Sequence, residues 1–345
     1  MTKRATIADL AEQSGVSVST VNRILAGATN VRAATIERVQ ETAERIGFYG
    51  AGTILARREG ALPQYRFGFL LQQSTREIYR IFADRIRDAA AERRDEKITC
   101  LIDFVDLLEP ANIAMRLRAL GEACDAVAII AADHPLINQA IRELHSKGKP
   151  VVTYITDQSA PERAAYVGTD NWKLGRTAAW FISQMRPAPG RVAVFIGNHR
   201  YQCQDVADAS LRSYIREHAP HLVVEDSRPT REEASEAYRM VKDMLATHDD
   251  LAGILIVGGG ISGILRALRE VPAERRKDIK VICRDIGPET RKGLSEGIVT
   301  AALCHPLEPT SSALIETMVE VATSSSLDKT IQKAIPFEIV TPENI

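Results

Sequence analysis

Residues 17–23 carry side chains suited to the hydrogen-bonding edges of nucleic-acid bases. Val18, Ser19, Asn22 and Arg23 fall on one side of a short helical stretch whose other side, Val21, Ile24 and Leu25, is apolar. A guanidinium can grip a guanine through two parallel N–H donors, and Asn22 or Ser19 can read base edges or hold phosphates. Thr6, Ser17, Thr20, Asn30 and Arg32 flank that face. They suit phosphate oxygens, which position a protein on a duplex without reading sequence.

A second set of polar residues stands just past apolar runs that read as strands. It comprises Gln72, Gln73 and Ser74, then Asp133 and His134, Thr156 and Asp157, Asn198 to Tyr201, Asp285 and His305. Side chains at the carboxyl ends of parallel strands converge on one crevice. As a set they suit a hydroxylated small molecule, with Tyr79 or Tyr201 stacking on its apolar face. Among the effector contacts we count Gln73, Ser74, Tyr79, Asp133, His134, Asp157, His199, Arg200, Gly259, Asp285 and His305. Arg200 is expected to supply a cation, which favours an acidic sugar derivative or a phosphate. Gly258-x-Gly260-x-x-Gly263 follows the apolar run GILIV, and Asp285 lies near the end of the next strand. That is the context of a dinucleotide fingerprint, so an NAD-dependent oxidoreductase is the rival reading. Otherwise the glycines bring backbone N–H groups and a helix N-terminus close to a ligand.

These groups need two kinds of scaffold. Thr6-Ile7-Ala8-Asp9 has the form of a capped helix start, and Ile7, Leu10 and Ala11 repeat on one helical face. Gly15 can take the left-handed conformation that turns the chain, and Ser17 caps a second helix reaching to about Ala26. A third helix from about Ala33 to Ile46 turns Ile36, Val39, Ala43 and Ile46 inward. Two short helices crossing at a glycine turn are a helix-turn-helix, whose second member enters the major groove. From Arg66 onward apolar runs alternate with amphipathic helices, which implies parallel sheets covered on both faces. The strands are too many for one sheet, so two lobes are expected.

The totals agree. With 345 residues, 45% hydrophobic and 26% charged, the chain reads as globular with two or three domains. Its net charge of -1 confines any nucleic-acid contact to a local patch. Cys100, Cys124, Cys203, Cys283 and Cys304 form no C-x-x-C pair, so neither a disulfide framework nor a zinc site is expected. No apolar run reaches membrane-spanning length and no export signal leads the chain, so a cytoplasmic protein is expected rather than a solute-binding protein without regulation. No G-x-S-x-G, H-E-x-x-H or P-loop lysine occurs. An enzyme, a cofactor and a metal are not expected.

The segments TIADLAEQSGVSVSTVNRILAG and NVRAATIERVQETAERIGFYG resemble the N-terminal signature of the lactose/galactose-repressor family. The resemblance implies a repressor-like homodimer or tetramer, a palindromic operator and a sugar, polyol or sugar-acid effector. It also implies a hinge helix after the DNA reader. The family's hinge asparagine aligns with Ala51 and its wedge leucine with Arg57, so Leu55 or Ile54 is left as the minor-groove wedge and Arg57 as a phosphate contact. Tyr166 to Asn171 look like the crossover between lobes in periplasmic sugar-binding proteins. Asp133 and Asp285 resemble the family's ligand residues, whereas Ala207, Gly258 to Gly260 and His305 depart from its pattern.

The expected architecture is thus an all-α helix-turn-helix N-terminal domain over residues 1–50 and a hinge over 51–65. An α/β two-lobed, periplasmic-binding-protein-like (type I) domain with parallel sheets follows over 66–345. Its lobes are expected at 66–165 and 172–285, with crossovers near 166–171, 285–290 and 304–308.

Overall fold

The computed structural model describes residues 4–27, 31–55, 62–324, 326 and 329–345. The chain forms two compact units, residues 1–65 with 93–99, and residues 66–92 with 100–345.

In the first unit α1 (Ile7–Ser14) begins at a complete capping box. The Thr6 side chain accepts from the Asp9 backbone N–H, and the Asp9 carboxylate accepts from the Thr6 N–H at 2.8 Å. Gly15 ends the helix at φ 66, in the left-handed region that suits glycine. Ser17 caps α2 (Val18–Ala26) through a bond from the Thr20 N–H, and α3 (Ala33–Arg45) closes the trio. Leu10, Ala11, Val21, Ile24, Val39, Ala43 and Phe48 form its core. A further helix, α4 (51–55), adds Ile54 to that core. It occupies the first five residues of the expected hinge. Of the two expected wedges, Ile54 is fully buried and Leu55 is 36% exposed.

The second unit is two-lobed, and the chain passes between its lobes three times. Lobe 1 contains β1 (Gln64–Gln72), α5 (Glu77–Ala91), β2 (Lys97–Val105), α6 (Pro110–Ala123), β3 (Ala126–Ile129), α7 (Pro135–Ser146), β4 (Val151–Tyr154) and β5 (Ala165–Thr169). The chain then enters lobe 2 with α8 (Asn171–Met185), β6 (Gly190–Ile196), α9 (Gln202–His218), β7 (Leu222–Val224) and β8 (Arg228–Pro229). Lobe 2 continues through α10 (Ala234–Thr247), β9 (Leu251–Ile256), α11 (Ile261–Arg269), α12 (Ala273–Arg276), β10 (Lys280–Arg284), α13 (Pro288–Ser295) and β11 (Ala301–Cys304). Next, α14 (Leu307–Thr323) and β12 (Ile331–Ile335) return to lobe 1, and β13 (Glu338–Val340) ends in lobe 2.

The strand orders are β12-β5-β4-β3-β1-β2 and β13-β11-β10-β9-β6-β7, with β8 beside β6. In lobe 2 the pairs are parallel except β11 with β13. Both faces of that sheet are covered. Ala193 and Phe195 enter one apolar cluster, while Val192, Val194 and Ile196 enter the other, as the two-residue period of a strand requires.

The expected crossover near 285–290 is not made there. Residues 285–287 form a loop within lobe 2, and that lobe runs on through α13 and β11. The third crossing lies between β12 and β13. These two short edge strands lack an unbroken apolar run, because their faces are only partly covered. Cys124, Cys283 and Cys304 are buried, and all five cysteines are free thiols.

Candidate functional site

The reader face is a ladder of short side chains topped by an arginine. Ser17 Oγ lies 2.8 Å from Ser19 Oγ and 2.9 Å from Thr20 Oγ1, and Arg23 Nη2 donates to Thr20 Oγ1 at 3.2 Å. Val18, Ser19, Asn22 and Arg23 are exposed together, opposite the buried Val21 and Ile24. Arg32 is exposed just before α3, and Thr6 and Ser17 spend their hydroxyls on capping. Asn30 and Arg57 lie outside the described residues.

Between the two lobes lies a cavity of about 470 Å³. Of the expected effector contacts, Tyr79, Gly259, Asp285 and His305 line it, as do Thr156 and Tyr201. The remaining seven are placed elsewhere. Ser74 donates to Asp106 at 2.9 Å, Asp133 accepts from Asn138 and Ser159, and His134 caps α7. Asp157 takes two bonds from Arg163, at 2.6 and 2.8 Å. Gln73 is held at φ 23 and donates its N–H to Val105, outside the lining. His199 and Arg200 are exposed, so the cation expected from Arg200 is not in the cavity. In most of these cases a polar group just past a strand turns back to secure its own loop.

The cavity also holds Arg76, Phe82, Glu232 and Arg284, which the sequence reading did not single out. Arg76, at the start of α5 in lobe 1, makes an ion pair with Glu232 of lobe 2. Tyr79 and Tyr201 both donate to Gln72 Oε1, at 2.9 and 3.0 Å, so one buried amide joins the lobes. Burial pushes the pKa of both phenols up, and they remain protonated donors. The Asp133 N–H donates to the Arg200 carbonyl at 2.7 Å and adds a backbone contact between lobes.

At the floor Asp285, His305 and Arg284 form one network. Asp285 Oδ1 faces the His305 backbone N–H at 2.9 Å and Nδ1 at 2.7 Å. Arg284 Nη2 contacts His305 Nε2 and donates to Thr169 Oγ1 at 2.7 Å, while Nη1 donates to Asn171 Oδ1 at 3.0 Å. A guanidinium can only donate, so Nε2 carries the lone pair and Nδ1 the proton. The imidazole is neutral. Burial lowers its pKa, the Arg284 charge lowers it further, and Asp285 opposes both. Burial alone would raise the Asp285 carboxyl, but its interactions with His305 and Arg284 outweigh burial and lower it. Three non-glycine residues of the lining, Ile155, Glu232 and Asp285, have φ of 67, 66 and 60. Such conformations cost on the order of 1–3 kcal/mol each and cluster at functional sites.

A neutral buried histidine has a consequence for stability. The unfolded chain takes up a proton below the usual 6.5, and the folded chain does not. The His305 contribution is therefore complete above that pH and is lost as pH falls from it toward the lowered folded value. The loss proceeds at up to about 1.4 kcal/mol per pH unit. His305→Gln is expected to flatten this slope, read as urea midpoints between about pH 7.5 and pH 5.5. An unchanged slope refutes the neutral assignment.

The glycine motif serves close packing. A Cβ on Gly258 would sit 2.0 Å from the Gly197 nitrogen, and one on Gly263 would sit 1.8 Å from the Ala234 carbonyl oxygen. The Glu232 carboxylate lies 2.0 Å from a Cβ placed on Gly259, on the approach a pyrophosphate would need. These residues do not fit a dinucleotide.

Residues 67–326 match the periplasmic binding protein domain, and residues 6–50 match the lacI family of bacterial regulatory proteins. The chain belongs to the lacI/galR family of regulators. Its first residues are a lacI-type DNA-binding domain, and its two lobes have the periplasmic-binding-protein fold. Among curated proteins none matches this family member. Among solved structures it resembles GanP, a glucose-galactose binding protein from Geobacillus stearothermophilus, with a TM-score of 0.73 at 17% identity, over 82% of this chain and 99% of that one. A transporter solute-binding protein from Agrobacterium vitis bound with α-D-tagatopyranose gives 0.70 at 17% identity, over 81% and 95%. One from Bacillus halodurans with bound myo-inositol gives 0.68 at 17%, over 82% and 96%. Among the described residues no helix is long and apolar enough to cross a membrane, and no cluster of His, Cys, Asp and Glu suits a metal.

Proposed function

We propose that this chain is a cytoplasmic repressor whose operator affinity is set by a small carbohydrate-like effector held between its lobes. The supporting observation is the union, in one chain, of a capped reader helix with an exposed Ser19-Asn22-Arg23 face and a cavity lined by both polar and apolar side chains. Sugars and polyols are what the structurally similar proteins bind. In this reading Val18, Ser19, Asn22 and Arg23 meet base edges, and Thr20 and Arg32 hold phosphates. Asp285, His305, Tyr79, Arg76 and Arg284 surround the effector. A homodimer would place two readers on a palindromic operator. An effector that binds one arrangement of the lobes better shifts the population and with it the operator affinity.

Selection from random duplexes should return a palindrome, and the selected site then serves in gel shifts. Arg23→Ala is expected to weaken binding to it by roughly 1–3 kcal/mol and to relax base choice at one position per half-site. Equal affinity of the wild-type chain for selected and random duplex at moderate salt refutes the regulatory reading. Sugar binding without any preference for DNA sequence would leave a solute-binding protein in its place.

A further inference from the structure

We infer that the effector is an uncharged polyol with one apolar face, and that acidic sugars are excluded; this deepens the reading proposed above and rests on it. Three carboxylates of the cavity already have their cations. Glu232 is paired with Arg76, and Glu289 lies 3.2 Å from Arg269. Asp285 lies 3.9 Å from Arg284 Nε and takes the two His305 N–H groups. Glu77 is exposed at the edge, and no lysine contributes to the lining.

Two groups are left over. The Arg284 side chain is only 8% exposed, both its terminal nitrogens are engaged, and its Nε has no acceptor. The hydrogen bonds of Asp285 fall on Oδ1, which leaves Oδ2 without a described partner. Asp285, 22% exposed, thus offers Oδ2 as an acceptor beside the enclosed Arg284 guanidinium, and a hydroxyl group can donate to it. A carboxylate or phosphate only accepts. It would set a second anion against Asp285, and like charges at close range are costly. An ammonium meets the converse conflict at Arg284. The lining also includes Ile78, Phe82, Ile130, Ile155 and Ile261, apolar side chains that suit the C–H face of a ring.

The test uses the full chain in thermal-shift and calorimetric titrations. The neutral probes are D-galactose, D-glucose and myo-inositol; the charged ones are D-galacturonate, D-glucuronate and D-galactose 6-phosphate. We expect at least one neutral probe to bind and its charged counterpart to bind at least about tenfold more weakly. Asp285→Asn keeps the side-chain shape but removes the negative charge. It is expected to shift the acid-to-neutral affinity ratio at least about tenfold toward the acid, with circular dichroism confirming that the variant is folded. An acid that binds the wild-type chain as tightly as its neutral partner overturns the inference and leaves the carbohydrate reading standing. Binding of no probe overturns both. An Asp285→Asn variant that is folded and binds with an unchanged ratio overturns the role given to Asp285.

Discussion

Leu10→Ala is expected to abolish operator binding while leaving the melting of the two-lobed unit where it was. Leu10 is fully buried and packs among Val21, Ile24, Val39, Ala43 and Phe48, where α1, α2 and α3 meet. Truncating a buried leucine costs about 2–5 kcal/mol, the upper end applying where the surroundings cannot collapse into the space. A reader of this size has a net stability of only several kcal/mol, so most or all of it is consumed. The base-reading side chains of α2 are then no longer held on one face. Gel shifts should show at least about a hundredfold loss on the selected operator. Calorimetry should show the same main transition as in the wild type, because residues 66–92 and 100–345 form a compact unit of their own. Wild-type affinity in this variant would mean that the trio of helices does not organise the reading face.

The second large effect is expected from the smallest possible addition, Gly263→Ala. The added methyl group would lie 1.8 Å from the Ala234 carbonyl oxygen, 2.7 Å from the Ala234 carbonyl carbon and 3.0 Å from the Tyr238 nitrogen. All three are backbone atoms of α10 or its first turn, so no side chain can swing aside. α10 and α11 must move apart, which disturbs the Ala237, Val241, Ile264 and Leu268 packing on that face of the lobe 2 sheet. Overpacking costs about 1–3 kcal/mol, with the upper end applying where backbone blocks the added carbon. The main thermal transition should fall by several degrees, and effector binding should weaken with it, because Gly258, Gly259 and Ser262 line the cavity. Gly287→Ala is the control, since nothing lies within 4 Å of its added carbon. If both variants melt alike, the glycine is not there for helix approach.

These two variants also mark where sequence was informative. The reader was legible because its signals are local: a hydroxyl cap at Thr6, a turn glycine at Gly15, a second cap at Ser17 and an apolar repeat through Leu10 and Val21. The central strands β3, β6 and β9 were legible from the apolar runs 126–131, 192–196 and 254–257, since a parallel strand covered on both faces needs them. By contrast β5 contains a glycine and two polar or amphipathic neighbours and read as part of a crossover. β8 is two residues long, and β12 alternates between partly buried and exposed positions. The cavity was legible only as a region. Reading just past each strand reached Asp285 and His305, but it could not distinguish a side chain turned inward from one that ties its own loop, as Asp133 and Asp157 do. Arg76 and Glu232 are 156 positions apart, and only the folded chain shows that they are partners.

The three passages between the lobes lie side by side. Ile335 is paired with Thr169 at the first, and Glu338 with Cys304 at the second, so the third is stitched to both. A single tether would let the halves swivel freely, and a flat trio resists twisting while still permitting a swing about one axis. Residues 331–345 are therefore a splint shared by both halves rather than a dispensable tail. Trimming them would strip an outer strand from each sheet at once, and a protease nick at any one passage would leave the halves joined by the remaining two.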